Sequence, residues 1–358
     1  MRPSRPSGVG IRLATLGTMR PLFHAATYCL LALSAACSRP ADLVLYCSLD
    51  QDLSEPLIAR FEEQTGYRVD TQFDVERNKT VGLVNRILQE AKNPRADVYW
   101  NNELAQTIRL VKEGVTEPFS VTSAEGIPAE FHDPNGHWVG FAARARVILY
   151  RTDRPDEMHL VPQRLEDFLR PEVAAVGAMA APLTGTTLTN YSILADSWGD
   201  APTIAWFEQA REAGLSFGSG NADVMRRTRN GDFLWCFTDT DDAAKAMDAG
   251  YAVAQRYLEQ GTQAAPLGTL LIPNSVCRLA SGKNQEAAQA FLDYVLSAET
   301  EQFLARSVSR QIPLHASVTA PPGVGKPGED FLPMEVDWAS AAEGIQQRAA
   351  DFQELFVR

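Results

Sequence analysis

The sequence predicts an α/β fold with two domains of ordinary size. Short apolar runs alternate with amphipathic helical segments from residue 42 to 114, and the alternation resumes near residue 175. Strand–helix alternation of this kind is typical of a mainly parallel sheet with helices on both faces. The chain has 358 residues, of which 45% are hydrophobic, so it is long enough to bury two separate cores.

The first domain opens with three strand–helix pairs. Each predicted strand is a short apolar or alternating run, and each predicted helix has apolar residues at helical spacing. The strands are 42–47, 67–73 and 96–100, and the helices are 53–65, 81–88 and 103–114. In such sheets ligands bind beyond the carboxyl ends of the strands, which here are residues 48–50, 74–78 and 101–103.

The second domain repeats this pattern after residue 146. A polar turn at 182–187 leads into a helix that ends at Trp198, and a loop at 319–328 precedes the last helix. The other predicted strands are 175–181, 215–217, 233–237 and 267–279, and the other predicted helices are 203–214, 222–229, 243–249, 285–297, 299–305 and 339–356.

The N-terminus has the pattern of a secretory signal. A region containing four arginines precedes the apolar run 25–33, which ends in small residues before Cys37. Residues 33–37, Leu-Ser-Ala-Ala-Cys, resemble a lipobox that would place a lipid on Cys37, although Ser34 stands where that pattern prefers Leu. Plain cleavage nearby is the alternative. Translation from Met1 or from Met19 leaves a basic region in either case, and a lipid is the only membrane attachment expected.

The net charge bears on the kind of partner that the chain binds, and the cysteine content bears on disulfide bonds. A formal net charge of -12, with no run of Lys and Arg, argues against a nucleic-acid partner. After export, Cys47, Cys236 and Cys277 remain, in strand-like apolar segments where cysteine is usually a small buried hydrophobe. One disulfide among the three is an open alternative, and the sequence does not select a pair.

Five segments in order carry a resemblance to a known family. The chain resembles periplasmic solute-binding proteins of ABC importers, of the ferric-iron-binding type, which has thiamine, polyamine and phosphonate relatives. The segments are LVLYCS at 43–48, FEEQTG at 61–66, ADVYW at 96–100, WVGFAARARV at 138–147 and LGTLLIPNS at 267–275.

The resemblance implies a two-lobed periplasmic-binding-protein fold with two crossing hinge strands and a ligand held between the lobes. The first crossing is expected at 144–146 and the second at 267–274. Lobe 1 would comprise residues 42–144 and 268–318, and lobe 2 residues 145–267 and 319–358. The implied location is the periplasm or the outer face of the cytoplasmic membrane, and the implied protein partner is an ABC permease.

The same resemblance directs attention to the segment after strand 233–237. Ferric-binding relatives have two adjacent tyrosines there, whereas this sequence has Thr240 and Asp241, preceded by Thr238 and Asp239. Because hard Fe(III) favours anionic oxygen donors, Asp241 is a candidate metal ligand. The alternative is that one of these aspartates caps the next helix and the others are solvated.

The turn Thr184, Gly185, Thr186 matches the place where relatives hold an anion that accompanies the metal. Backbone N–H groups at a helix N-terminus bind anions without charged side chains, and an ordinary N-cap is the alternative. Asn221 falls where relatives supply another polar contact, and a surface turn is its alternative.

Lobe 1 supplies the remaining candidates. Glu103 lies where relatives carry an acidic metal ligand, next to Asn102, but it also suits the first turn of its helix. Asp50 lies in the first-strand loop, where some relatives have a metal-binding histidine. Arg144 and Arg146 point to one side of an extended strand, so one is expected to reach an anionic ligand, with an ion pair between the lobes as the alternative.

The functional hypothesis is capture of ferric iron together with a small anion, as cargo and not as a resident cofactor. A small zwitterion such as an aminoalkylphosphonate is the first alternative, and presentation of a ligand to a membrane sensor is the second. Phosphate-loop and Cys-x2-Cys motifs are absent from the sequence, so an enzyme is not expected.

Overall fold

A mixed ten-stranded sheet runs through the part of the chain that the computed structural model describes, residues 40–74, 81–280 and 283–357. The strands are β1 Leu43–Cys47, β2 Val69–Phe73, β3 Val98–Asn101, β4 Thr116–Glu117, β5 Trp138–Arg151, β6 Gly177–Ala180, β7 Ser216–Gly218, β8 Trp235–Asp239, β9 Val253–Tyr257 and β12 Leu271–Leu279. A separate two-stranded ribbon pairs β10 Gln260–Gly261 with β11 Pro266–Gly268.

Helices cover both faces of the sheet. They are α1 Gln51–Thr65, α2 Val81–Gln89, α3 Ala105–Lys112, α4 Pro171–Ala174, α5 Gly185–Trp198, α6 Asp200–Glu212, α7 Asn221–Asn230, α8 Thr240–Asp248, α9 Gln285–Val295, α10 Ala298–Arg306, α11 Trp338–Glu343 and α12 Ile345–Val357. Short 3-10 turns lie at Thr122–Gly126, Ala129–Phe131, Pro155–Leu160 and Leu165–Leu169. None of the described helices combines the length and the apolar character needed to cross a bilayer.

The strand order β2-β1-β3-β12-β5-β8-β6-β7 divides the sheet at β5. Residues 138–145 of β5 pair with β12, whereas residues 146–151 pair with β8 and β9. We call the part with β1, β2, β3, β4 and β12 lobe 1, and the part with β6, β7, β8 and β9 lobe 2. The predicted first crossing at 144–146 therefore lies where β5 changes partners.

The relative direction of the strands agrees with this strand order. Within each lobe the predicted parallel pairing is present, because β1 pairs in parallel with β2 and β3, and β6 with β7 and β8. The two crossing strands are antiparallel to their neighbours. The chain leaves lobe 1 on β5 and re-enters it on β12, so these strands run in opposite directions, and the sheet is mixed where the sequence predicted a mainly parallel one.

A buried polar network holds the backbone at the crossing. Ala142 has a φ of 42°, a left-handed conformation that costs an L-residue about 1–2 kcal/mol. The Glu301 carboxylate accepts the Ala142 N–H at 2.7 Å and the His315 N–H at 2.6 Å. The Asn274 amide donates to the carbonyls of Ala142 and Phe141 beside a bulge in β12. These contacts offset the local strain and fix the geometry of the crossing.

The C-terminal helical segment differs from its prediction. A single helix at 339–356 was expected, but Gly344 separates α11 from α12. A Cβ on Gly344 would lie 2.8 Å from the Arg348 guanidinium carbon, so a larger residue there would displace that side chain. Arg348 binds Asp196 and Asp200, each at 2.7 Å, and thereby ties α12 to lobe 2. The helix α11 packs against α3 and α5, which belong to different lobes.

The three described cysteines lie in the core. Cys47, Cys236 and Cys277 are fully buried, and no disulfide joins any two of them. Burial raises the pKa of Cys236 and of Cys277 to about 12. The disulfide alternative is therefore not realised in this structure. The predicted signal at residues 1–37, with Cys37, Met1 and Met19, lies outside the described residues.

Candidate functional site

A polar cleft of about 840 Å³ lies between the two lobes. Lobe 1 lines it with the loop after β1, the end of β2 and Asn102, and lobe 2 lines it with the segments after β6, β7 and β8. The carboxyl ends of parallel strands therefore meet here, as expected for this sheet type. Its lining includes Ser48, Asp50, Gln51, Asp52, Asp74, Asn102, Arg144, Thr184, Gly185, Thr186, Thr187, Ser219, Gly220, Asn221, Asp223, Arg226, Asp239, Asp241, Asp242 and Lys245.

Four helices begin at this cleft. Gln51, Gly185, Asn221 and Thr240 are the first residues of α1, α5, α7 and α8. The first N–H groups of a helix have no acceptor within that helix and carry partial positive charge, so the cleft has backbone sites for an anion. Gly185 has a φ of 60°, a conformation that glycine adopts without strain.

Asp239 joins the N-termini of α5 and α7 to the crossing strand. Its carboxylate pairs with Arg146 at 2.6 Å and accepts hydrogen bonds from Thr186 Oγ1 at 2.6 Å and Asn221 Nδ2 at 2.9 Å. Burial acts to raise the pKa of Asp239, but the charges of Arg146 and Arg144 and these hydrogen bonds leave it below its ordinary value. Asp239 is thus an ionised anchor that positions both helix N-termini.

Arg144 presents unpaired polar atoms at the cleft. The residue is 3% exposed, and one of its amino groups donates to the Asn102 carbonyl. Arg144 Nε and Asn102 Oδ1 are buried without a hydrogen-bond partner among the described residues. Both residues line the cleft, so these two atoms are available to hydrogen-bond a ligand there.

Carboxylates form the other side of the cleft, around one lysine. Lys245 Nζ on α8 lies 3.1 Å from Asp50 Oδ2, directly before α1, so this ion pair joins the two lobes. Burial acts to lower the pKa of Lys245, but Asp241, Asp50 and Asp242 raise it above its ordinary value. The ammonium is therefore charged throughout the physiological range.

The two aspartates at the start of α8, Asp241 and Asp242, have raised pKa values, whereas the pKa of Asp239 is lowered. Burial, together with the charges of Asp241 and Asp239, raises the pKa of Asp242 to about 8. Burial also raises the pKa of Asp241, although the charges of Arg144 and Lys245 oppose it. Asp241 accepts the Asp242 N–H at 3.0 Å, so it faces the cleft and also binds the first turn of its helix.

The structure does not place Glu103 in this cleft. Its carboxylate accepts the N–H groups of Ala105 at 2.7 Å and Gln106 at 2.9 Å, and the hydroxyl of Thr189 at 3.0 Å. Glu103 is 1% exposed and binds the first turn of α3, which is the alternative that the sequence left open. In this structure its oxygens bind these protein donors, and its role as a metal ligand stays a prediction.

Two further predicted residues lie behind the cleft surface. Thr238 donates to Asp242 at 3.0 Å, and the Thr240 hydroxyl accepts the Ala145 N–H at 3.1 Å. Both are buried and support the strand β8 and the crossing. The other predicted residues come together at the cleft, namely Asp50, Asn102, Arg144, Thr184, Gly185, Thr186, Asn221 and Asp241.

Sequence reasoning missed Lys245, Asp223 and Arg226 as cleft residues. A signal existed for Lys245, because it follows Asp241 by four positions and residues so spaced share a helix face. Asp74 was named only as part of a strand end. No sequence pattern distinguishes Asp223 and Arg226 from other charged residues at a helix start.

The charge and donor types of the lining limit the ligand. Among the described lining residues, seven aspartates face Arg144, Arg226 and Lys245, and neither tyrosine nor histidine is present. No three His, Cys, Asp or Glu side chains in the described ranges are grouped closely enough to hold a metal ion together. The site combines anion-binding elements with an excess of carboxylates.

Comparison with known proteins agrees with this architecture. The sequence pattern of bacterial extracellular solute-binding proteins matches residues 43–307. The "Fe(3+)-binding periplasmic protein" of Serratia marcescens is 23% identical over 299 residues, which cover 82% of this chain and 84% of the relative.

Solved structures establish the fold at lower identity. Iron-bound HitA from Pseudomonas aeruginosa superposes with a TM-score of 0.75 at 22% identity, covering 87% of this chain and 99% of HitA. AfuA from Actinobacillus pleuropneumoniae, with fructose-6-phosphate bound, has a TM-score of 0.73 at 18% identity, covering 88% and 98%. The predicted two-lobed α/β fold is confirmed.

Proposed function

Because this chain belongs to the family of bacterial extracellular solute-binding proteins, we propose that it captures Fe(III) together with a small oxyanion. It would hold this complex between its lobes outside the cytoplasm and deliver it to an ABC permease. In this role the protein binds and releases cargo without converting it.

The proposal rests on two kinds of group that line the cleft, namely groups that bind anions and carboxylates that bind cations. Arg144 and the N-termini of α5 and α7 favour an anionic group. Asp50 and Asp241, on different lobes, favour an electropositive centre. A complex of a hard cation with an oxyanion satisfies both, because carboxylate oxygens are suitable donors for Fe(III). Asp241 is the proposed metal ligand from lobe 2, and hinge closure would bring lobe 1 carboxylates toward it.

The relatives support iron as the electropositive centre. The Serratia marcescens relative is named for Fe(3+) binding, and HitA was solved with iron bound. Neither likeness exceeds 25% identity, so the assignment to this chain depends on its own site.

A small zwitterion, such as an aminoalkylphosphonate, is the second candidate. The described lining lacks tyrosine and histidine, and the described residues contain no preformed group of three metal donors. A phosphonate would suit the helix N-termini, and an amine would suit Asp241. AfuA, with the same fold, binds a sugar phosphate.

Iron content and one substitution test the proposal. Protein purified without chelators is expected to contain iron, and Asp241→Asn is expected to lose about tenfold or more in ferric citrate affinity, since a charged partner is removed. The exposed Asp156→Asn is the matched control and should bind as the wild type does. Iron-free protein that also fails to bind ferric citrate, together with micromolar binding of 2-aminoethylphosphonate, would favour the second candidate.

Export and lobe boundaries belong to the same proposal. The predicted signal at 1–37 would be cleaved before Cys37, leaving Cys37 as the lipid-bearing N-terminus, and the lobes would keep the boundaries 42–144 plus 268–318 and 145–267 plus 319–358. Mass spectrometry of the protein from its native membrane checks the first part. A mature N-terminus at Cys37 with an acyl mass is expected, whereas an unmodified N-terminus elsewhere would contradict lipidation.

A further inference from the structure

We infer that Lys245 determines the selectivity of the cleft, by occupying its carboxylate side with a built-in cation that excludes bare metal ions. Fe(III) would then enter only as a complex whose oxyanion brings compensating negative charge. This inference rests on the proposed function and refines it, because it names the chemical form of the cargo.

The position of Lys245 is the first argument. The side chain lies on α8 one turn after Asp241, and both residues line the cleft. Its Nζ lies 3.1 Å from Asp50 Oδ2 on the other lobe, and the two side chains are only 28% and 25% exposed. A cation held by both lobes in a partly dehydrated site is weakly screened by salt.

The surrounding carboxylates are the second argument. Asp50, Asp241 and Asp242 all lie close enough to act on the Lys245 charge. These are the groups that an unaccompanied metal ion would need, and the ammonium already neutralises part of their charge. A second cation placed among them meets like-charge repulsion from Lys245, and like-charge juxtaposition in a partly buried site is costly.

The opposite side of the cleft explains why a complex is still admitted. Arg144 is 3% exposed with its Nε unpaired, and the 7%-exposed Asn102 also has an unpaired oxygen, among the described residues. Helix N-termini at Gly185 and Asn221 add anion sites. An oxyanion bound there lowers the net charge of the arriving complex, so Lys245 attracts its anionic part while it repels the free ion.

Three variants and two titrants test this inference. Terbium(III) chloride serves as a hard, bare trivalent ion, and ferric citrate serves as the complex. Lys245→Met removes the charge while keeping most of the side-chain length, and Lys245→Arg keeps the charge. Lys92→Met makes the same charge change at an exposed position away from the cleft. Titration calorimetry on the full mature protein measures each affinity.

Lys245→Met is expected to bind terbium(III) about tenfold or more tightly than the wild type, because a like charge beside the ion is removed. Lys245→Arg and Lys92→Met should match the wild type. An unchanged terbium(III) affinity in Lys245→Met would overturn the inference, and so would an equal gain in Lys92→Met. If Lys245→Met does not fold by circular dichroism, Lys245→Gln carries the same expectation and the same contrary outcome.

The proposed function is judged separately in the same experiment. It depends on whether the wild type binds ferric citrate, whereas the inference depends on the terbium(III) ratio between variant and wild type. Wild-type protein without ferric citrate binding would contradict the function even if the terbium(III) ratio rises. A normal ferric citrate affinity with an unchanged ratio would contradict only the role of Lys245.

Discussion

At the scale of single residues, Arg144 is a cleft side chain whose hydrogen bonds within the described residues are incomplete. Its guanidinium is buried, yet Nε has no partner in the described part of the chain. We expect Arg144→Met to weaken ligand binding by about 10- to 100-fold, because a hydrogen bond to a charged group contributes about 1.5–3 kcal/mol. Titration calorimetry with ferric citrate measures the change. The exposed Arg60→Met is the control, and equal losses in both variants would contradict a direct role.

The buried thiols provide a test of the core that is independent of any ligand. Cys236 and Cys277 have pKa values raised to about 12 by burial, so the reactive thiolate is scarce at neutral pH. In native protein at about pH 8, iodoacetamide is expected to leave Cys47, Cys236 and Cys277 unmodified, and unfolding in urea should expose all three. Peptide mass spectrometry locates the label. Rapid labelling of the folded protein would contradict the burial described here.

Much of the site could be predicted from single residues, and the failures have physical causes. Asp50, Gly185 and Asp241 were placed at strand ends and helix starts, where short-range patterns are strong, and Arg144 was placed on the first crossing strand. Glu103 also lies at a helix start, but only the fold reveals that α3 and Thr189 occupy its carboxylate. Local sequence does not report which way such a side chain turns.

At the scale of elements, alanine substitution tests the backbone conformation at the start of α5, where Gly185 lies. Gly220, at the start of α7, provides the control. Gly185 has a φ of 60° and Gly220 a φ of 178°, and a Cβ on either would meet nothing within 4 Å. We expect Gly185→Ala to reduce the free energy of unfolding by about 1 kcal/mol, the cost of a left-handed alanine. Gly220→Ala is the control with extended backbone and should not carry this cost. Urea denaturation compares them, and equal stabilities would contradict the left-handed turn.

The helix α10 contributes a pH-dependent contact through Glu301. Burial raises its pKa above the ordinary value of 4.5, although hydrogen bonds from His315, Ala142 and Leu314 oppose the shift. A carboxyl with a raised folded-state pKa binds its proton more tightly when folded, so its contribution to stability falls as pH rises above that ordinary value. Relative to wild type, Glu301→Gln should therefore gain stability between about pH 4 and pH 7. Chemical denaturation across this range checks it, and a relative loss would contradict the assignment.

Whether a segment forms a helix or a strand was predictable where the hydrophobic periodicity was strong. The ends of helices and strands were less predictable. The alternating strands and helices of both lobes are confirmed, because each has a short apolar run or a helical stripe. The strands β9 and β10 were missed, since their residues are mixed in polarity, and the predicted strand 267–279 ran β11 and β12 together. The break at Gly344 was also missed, although glycine is a local signal that can end a helix.

At the scale of the whole molecule, hinge closure is the expected response to cargo. The lobes share β5, and the crossing residues are held by Glu301 and Asn274. We expect the radius of gyration from small-angle scattering to fall when a bound ligand is present, as in other proteins that close around a ligand. An unchanged radius with a ligand that calorimetry verifies as bound would contradict closure.

Titration calorimetry of the wild-type protein with ferric citrate, citrate alone and 2-aminoethylphosphonate tests the central claim most directly. Capture of Fe(III) with an oxyanion predicts one saturable site for ferric citrate, weaker or undetectable binding of citrate alone, and no competition from the phosphonate. Absence of heat from ferric citrate, together with saturable binding of 2-aminoethylphosphonate, would contradict it.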